Sequence, residues 1–251
     1  MSTPAMKFAH RHRADARAIP IIVTSVWIAI LTGFAVDMLR KAAAHQLHYP
    51  WLIHAHAVLY VGWLLVLAVQ VGLVRSGRIS MHRAIGRVAV VLIPVTALFG
   101  LAAMISRKMA PIVVADTNLA FMGVQITNVI GMTVLLTAGY LMRTNASAHK
   151  RLMIMGTIMV TETGFNRIMH DPARNVLGDG MGPFFLETYT GTLVLMLAIG
   201  IYDLVTRRRL NPAYTAAFGF MLNLQLLASW LYQEQFWVTL MKQLTGHSVA
   251  A

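Results

Sequence analysis

The chain pairs ten histidines with a complete absence of cysteine, and this bounds its chemistry. Without thiols there are no disulfides, thiolate zinc sites, iron–sulfur clusters or covalently attached c-type haem. A metal or haem has to be held by His, Met, Tyr or carboxylate. Two histidines share one local setting. His82 is followed by Arg83 and His149 by Lys150, and each opens an apolar stretch after a short basic loop. Two imidazoles at the same end of neighbouring helices can ligate one haem iron axially. Arg83, Arg87, Lys150 and Arg151 would then pair with the haem propionates, as Arg and Lys do with other carboxylates. The same residues equally suit a basic interfacial loop that holds no cofactor.

A second set of polar residues lies inside apolar runs. His54 and His56 are two residues apart, hence on opposite faces of a helix. His56 shares its face with Tyr60, Trp63 and Gln70, whereas His54 shares an apolar face with Val58, Val61 and Leu65. Glu162, Asn166 and His170 follow at four-residue steps and stack on one helical face, with Arg167 beside them. Gln125 and Asn128 add two amides from another run. Ionisable groups in apolar spans are costly and mark function by default. The pattern predicts a polar pocket of His56, Gln125, Glu162, Asn166 and His170. An unpaired carboxylate at such depth is expensive, so Glu162 calls for a partner such as Arg167 or a histidine. Interhelical hydrogen bonding without a ligand is the plainer alternative. The 17 methionines read as packing.

The elements that must position these groups are membrane helices. Hydrophobic residues make up 57% of the sequence and charged residues only 12%, about half the share of a soluble domain. A bilayer core takes about 20 apolar residues per helix. Seven stretches qualify, at about 18–39, 51–74, 88–106, 119–142, 152–170, 184–205 and 213–232. The expected fold is therefore an all-α, polytopic bundle of about seven transmembrane helices. It has an N-terminal tail over 1–17, a transmembrane domain over 18–232 and a short tail over 233–251. Residues 171–183, with Gly178, Gly180 and Gly182, read as the longest loop.

Charge orients the bundle. On one side fall Lys7, Arg11, Arg13 and Arg17, then Arg75, Arg78, Arg83 and Arg87, then Arg143, Lys150 and Arg151, then Arg207, Arg208 and Arg209; these are 14 of the 21 Lys and Arg residues. The positive-inside bias puts that side, and the N-terminus, in the cytoplasm. The formal net charge of +12 then reflects orientation and not nucleic-acid binding. Arg75-Ser76 leading to His82-Arg83, and Arg143-Thr144 leading to His149-Lys150, form an internal echo that suggests a parallel repeat of helix pairs.

The segments His54-Ala55-His56 to Trp63, Gly77-Arg78, His82-Arg83-Ala84-Ile85-Gly86-Arg87 and His149-Lys150-Arg151-Leu152-Met153 resemble a bacterial family of uncharacterised multi-helix membrane proteins, over about residues 50–170. The layout is more distantly similar to the ascorbate-type transmembrane cytochromes b, in which a His near a helix start, an Arg at its end and a His opening the next helix recur. That resemblance implies haem b, with His82 and His149 as one ligand pair and His56 as half of another. The chain departs from the pattern because its fourth span has no histidine; His170 is the nearest outer substitute. One haem, or none, is what remains.

Two functional classes are thus open. One is a b-type haem or quinone-linked electron-transfer protein of the bacterial inner membrane, with the lipid bilayer and a quinone or another redox protein as partners. The other is a non-redox membrane protein, a small-molecule transporter or a sensory or accessory subunit, built on the outer polar pocket. A membrane hydroxylase or desaturase would need clustered histidines at helical spacing, which are missing. The only lysine near the last span, Lys242, lies beyond its end, which argues against a retinal Schiff base.

Overall fold

The computed structural model describes Phe8 and residues 12–45, 49–108 and 116–246, with the side chains of 107, 108, 116, 117 and 170–174 excepted. Within them the chain forms eleven α-helices and no strand: α1 (Asp15–Ala43), α2 (Trp51–Arg75), α3 (Ile79–Gly86), α4 (Ala89–Lys108), α5 (Asp116–Ala120), α6 (Met122–Leu141), α7 (Ala146–Ile158), α8 (Glu162–Leu177), α9 (Met181–Arg207), α10 (Pro212–Gln233) and α11 (Gln235–Thr245). A 3-10 turn at Met159–Thr161 joins α7 to α8.

Five helices are long and apolar enough to cross a membrane: α1, α2, α4 up to Ser106, α6 extended back to Asn118, and α9. Their outward faces carry aliphatic side chains; Val58 is 70% exposed and Leu98 64%. Water does not tolerate apolar surface on this scale, whereas hydrocarbon favours it. The chain is a multi-pass integral membrane protein. Two further rods do not meet both conditions: α7 and α8 are each too short taken singly, and α10 is long enough but less apolar. Asn223 and Gln225 dilute α10, and Glu162 and Arg167 dilute α8.

The α7–α8 rod is the axis of the bundle. Its stretch from Ser147 to Glu162 is buried almost without interruption, beneath α6, α9, α10 and α1. A helix wrapped on all sides touches no lipid and has no need of a lipid-like surface. Small residues bring its neighbours close. Gly156 packs directly on Leu135 and Leu136 of α6, and Gly164 meets the backbone of Ala29 in α1, which in turn carries Gly33 against Gly164. The rod tightens where threonine hydroxyls compete for its carbonyls: Thr157 donates to Met153 O (2.9 Å), Thr161 to Ile158 O (2.7 Å) and Thr163 to Val160 O (2.8 Å).

Three boundaries differ from the sequence expectations. His82 stands on its own eight-residue helix, α3, instead of the first turn of a spanning helix. Gly77 at φ +72° closes α2 in a Schellman motif, with Arg78 N–H on Leu73 O (2.9 Å) and Gly77 N–H on Val74 O (3.2 Å), and a turn at Arg87–Val88 separates α3 from α4. The two arms of the echo therefore fold differently, since Asn145 leads straight into α7 and caps it by accepting from Ser147 and Ala148 N–H (3.2 Å each). The long loop over 171–183 shrinks to Gly178–Gly180, because α8 runs on to Leu177 and only Gly178 (φ +77°) and Gly180 (φ +120°) need the left-handed region. The C-terminal tail is largely helical, with Val238 and Met241 of α11 packed on Leu119 and Ala120 of α5.

Candidate functional site

The first candidate joins α3 to α7. The His82 and His149 rings lie edge to face, with centroids 6.2 Å apart and planes at 83°. His149 Nδ1 donates to Gly139 O of α6 at 2.7 Å; a carbonyl only accepts, so this nitrogen carries a proton. Such a backbone bond fixes both tautomer and ring orientation. His82 is half-buried, and its Nδ1 is enclosed without a hydrogen-bond partner. Burial, reinforced by the neighbouring His149, holds its pKa below the ordinary 6.5, although the Gln70 backbone partly opposes this. The His82 ring is therefore neutral at neutral pH, the form that binds metals. Both side-chain amide atoms of Gln70 are also enclosed and unbonded there, and a Cβ on Gly86 would lie 3.8 Å from Gln70 Nε2. Sequence reasoning placed Gln70 on the stripe of His56 and missed this position at the opposite end of α2.

The four bases grouped with this pair separate. Arg83 and Arg87 are exposed on and just after α3. Lys150 and Arg151 turn to the other side of α7. Lys150 Nζ sits 2.6 Å from Asp15 Oδ2. Arg151 clasps Asp203 with two nitrogens (Nε–Oδ2 2.7 Å) and donates to Ser147 O (2.8 Å) and Oγ (2.7 Å). Asp15 also takes Arg207 (2.9 Å) and the Tyr202 hydroxyl. The network ties the start of α1, the start of α7 and the end of α9 together at one end of the bundle. Phe8 lies under the guanidiniums of Arg151 (4.8 Å) and Arg207 (5.3 Å), and a cavity of about 300 Å³ opens beside it between the capped starts of α7 and α10. Asp15, Asp203 and Tyr202 were not singled out from sequence.

The second candidate lies along the inner face of α8. Glu162 is wholly buried and accepts from Asn128 Nδ2 of α6 at 2.7 Å. Tyr189 of α9, also wholly buried, is within electrostatic range of Glu162. Arg167 is engaged with Asp37 of α1 (3.4 Å), with Thr163 O and with the Phe34 ring (4.1 Å). His56 stacks obliquely on Tyr60 (4.4 Å), and its enclosed Nδ1 has no hydrogen bond. Gln125 Oε1 and Asn166 Nδ2 are likewise enclosed and unbonded. The direct contact within the anticipated pocket is thus Asn128–Glu162. The His170 side chain falls outside the described residues. His54 is exposed beside Tyr49.

Comparison with family models, with characterised proteins and with solved structures returned no match.

Proposed function

We propose that the protein crosses the membrane seven times, with α7–α8 and α10 completing the five apolar spans and the N-terminus in the cytoplasm, and that it serves electron transfer through one b-type haem held by His82 and His149. The adjacent imidazoles carry this reading. Two metal–imidazole bonds of about 2 Å on either side of one ion bring ring centroids to about 6 Å. The donor set discriminates further. Two imidazoles are too few for a zinc ion, which takes three or four protein ligands, and no cluster of three His, Cys, Asp or Glu occurs among the described residues. A porphyrin brings its own four nitrogens, so two histidines suffice.

When bound, the haem supplies one-electron transfer at a potential set by its ligands and surroundings. Gly139 O orients His149, burial keeps His82 neutral, and the exposed Arg83 and Arg87 would pair with its propionates. Lys150 and Arg151 already have carboxylate partners within the chain. A quinone or another redox protein would exchange the electron. The distant similarity of the layout to the ascorbate-type cytochromes b points the same way. Protein made with ample haem precursor should give a b-type reduced-minus-oxidised spectrum. His82→Ala and His149→Ala should each abolish it, and His54→Ala should leave it. A folded, colourless wild-type protein would end the proposal. A non-redox transporter or accessory subunit is then favoured by the buried Asn128–Glu162 contact.

A further inference from the structure

We infer that the break in the central rod is a binding site for a small monovalent cation, a proton or Na+, held by Glu162 and Asn128. Glu162 opens α8 immediately after the 3-10 turn and lies about 23 Å from either end of the rod at 1.5 Å rise per residue. It is 0% exposed and Asn128 3%. Their one hydrogen bond, Asn128 Nδ2 to Glu162 Oε2, leaves Glu162 Oε1 and Asn128 Oδ1 enclosed with no donor. The Tyr189 hydroxyl, beside Thr127, is a third enclosed oxygen in the same layer. Oxygen lone pairs gathered out of water are satisfied only by a donor or a cation.

Amide orientation does not remove the need. With the Asn128 amide turned over, its oxygen would face the Glu162 carboxylate, and the contact would close only through a proton on Glu162. Either way the site takes one positive charge. Of the charged and titratable groups around it, Arg167 is within electrostatic range of Glu162 but forms no ion pair with it. Arg167, on the same helix, is tied to Asp37 of α1 and to Thr163 O. Tyr189 comes from α9, and His56 of α2 is within electrostatic range of Arg167. No ion pair reaches Glu162 among the described residues. A single carboxylate with neutral oxygens matches a monovalent ion, because divalent cations draw more carboxylates or waters. Interrupted membrane helices at mid-depth are where ion-coupled proteins bind Na+ or H+. The inference stands apart from the haem reading, which a colourless protein would end without touching this one.

The test uses the full chain purified in detergent. Its Tm is followed in NaCl against choline chloride at matched ionic strength, and its carboxylic-acid carbonyl band is followed by infrared spectroscopy in H2O and D2O across pH. If the ion is Na+, Tm rises with the logarithm of NaCl concentration in the wild type and not in Glu162→Gln. If it is the proton, Na+ has no specific effect, and a D2O-sensitive carboxylic-acid band titrates in the wild type and is lost in Glu162→Gln. Asn128→Ser should weaken the Na+ response about tenfold, the scale of a lost hydrogen bond to a charged group, or shift the carbonyl band. Wild-type protein showing neither a Na+ response nor a titrating band overturns the inference, as does either signal surviving in Glu162→Gln.

Discussion

The tightest electrostatic unit in the molecule is Arg151 with Asp203, 3% and 0% exposed at their side chains. Removing one member of a buried pair strands the other's charge, at a cost of about 3–5 kcal/mol, whereas replacing both by apolar residues is often neutral. Arg151→Ala should therefore lower Tm steeply in detergent, and Arg151→Met with Asp203→Leu should recover most of the loss; Arg207, 3.7 Å from Asp203, keeps Asp15 as partner in that double variant. His82 gives a pH prediction. Its folded pKa lies below 6.5 because burial disfavours the imidazolium, so the unfolded chain binds more protons between the two values and stability rises with pH there. The contribution is present above 6.5 and is lost as pH falls through the folded value. Haem-free wild type should lose Tm on acidification more steeply than His82→Gln; equal slopes would refute the assignment. The His82–His149 encounter was legible in the sequence because each residue opens a helix after a basic loop. The Asp15 and Asp203 network was not: its partners lie up to 192 residues away, and a lone Asp at the end of an apolar run reads as a flank.

At the scale of elements, the crossing of α1 over α8 depends on the absence of side chains. A Cβ on Gly164 would press into the Ala29 carbonyl and lie 3.0 Å from Ile30 Cα, both backbone atoms that cannot step aside. Overpacking of this kind costs about 1–3 kcal/mol or more. Gly164→Ala should lower Tm accordingly, while Gly62→Ala, with nothing within 4 Å of its Cβ position, should not. The long apolar helices were readable from composition alone, because lipid selects for a continuous signature. The short α3, the helical tail α11 and the extension of α8 were not, because their limits rest on a single left-handed glycine or on tertiary cover. The Glu162–Asn128 contact was half legible: periodicity put Glu162 on a polar face, but choosing Asn128 over Arg167 or a histidine as its contact needed the packing of α6 on the rod.

For the molecule as a whole, the predicted orientation follows from the end that gathers Asp15, Lys150, Arg207 and the capped starts of α7 and α10. The opposite end carries the α8–α9 turn. Since the chain has no native cysteine, one introduced thiol reports cleanly on sidedness. Val176, 83% exposed beside that turn, is a better position than Gly180, whose φ of +120° would strain any side chain. Val176→Cys should react with an impermeant maleimide in intact spheroplasts. Reaction only after lysis would reverse the orientation.

The wrapped axis has a consequence for how the protein is made. An inserting helix is judged by its own apolarity, and a charged residue near its centre counts about 2.5–3.5 kcal/mol against entry into lipid. The α7–α8 rod carries Arg151, Glu162 and Arg167, so it is a poor candidate to partition alone as it leaves the ribosome. Arg167 finds its partner Asp37 on α1, already synthesised, and Arg151 its partner Asp203 on α9, still to come. If the rod spans the bilayer as proposed, its insertion is a joint event that waits for the chain to reach Asp203, and shortening the protein before α9 should leave the rod unable to settle in the bilayer.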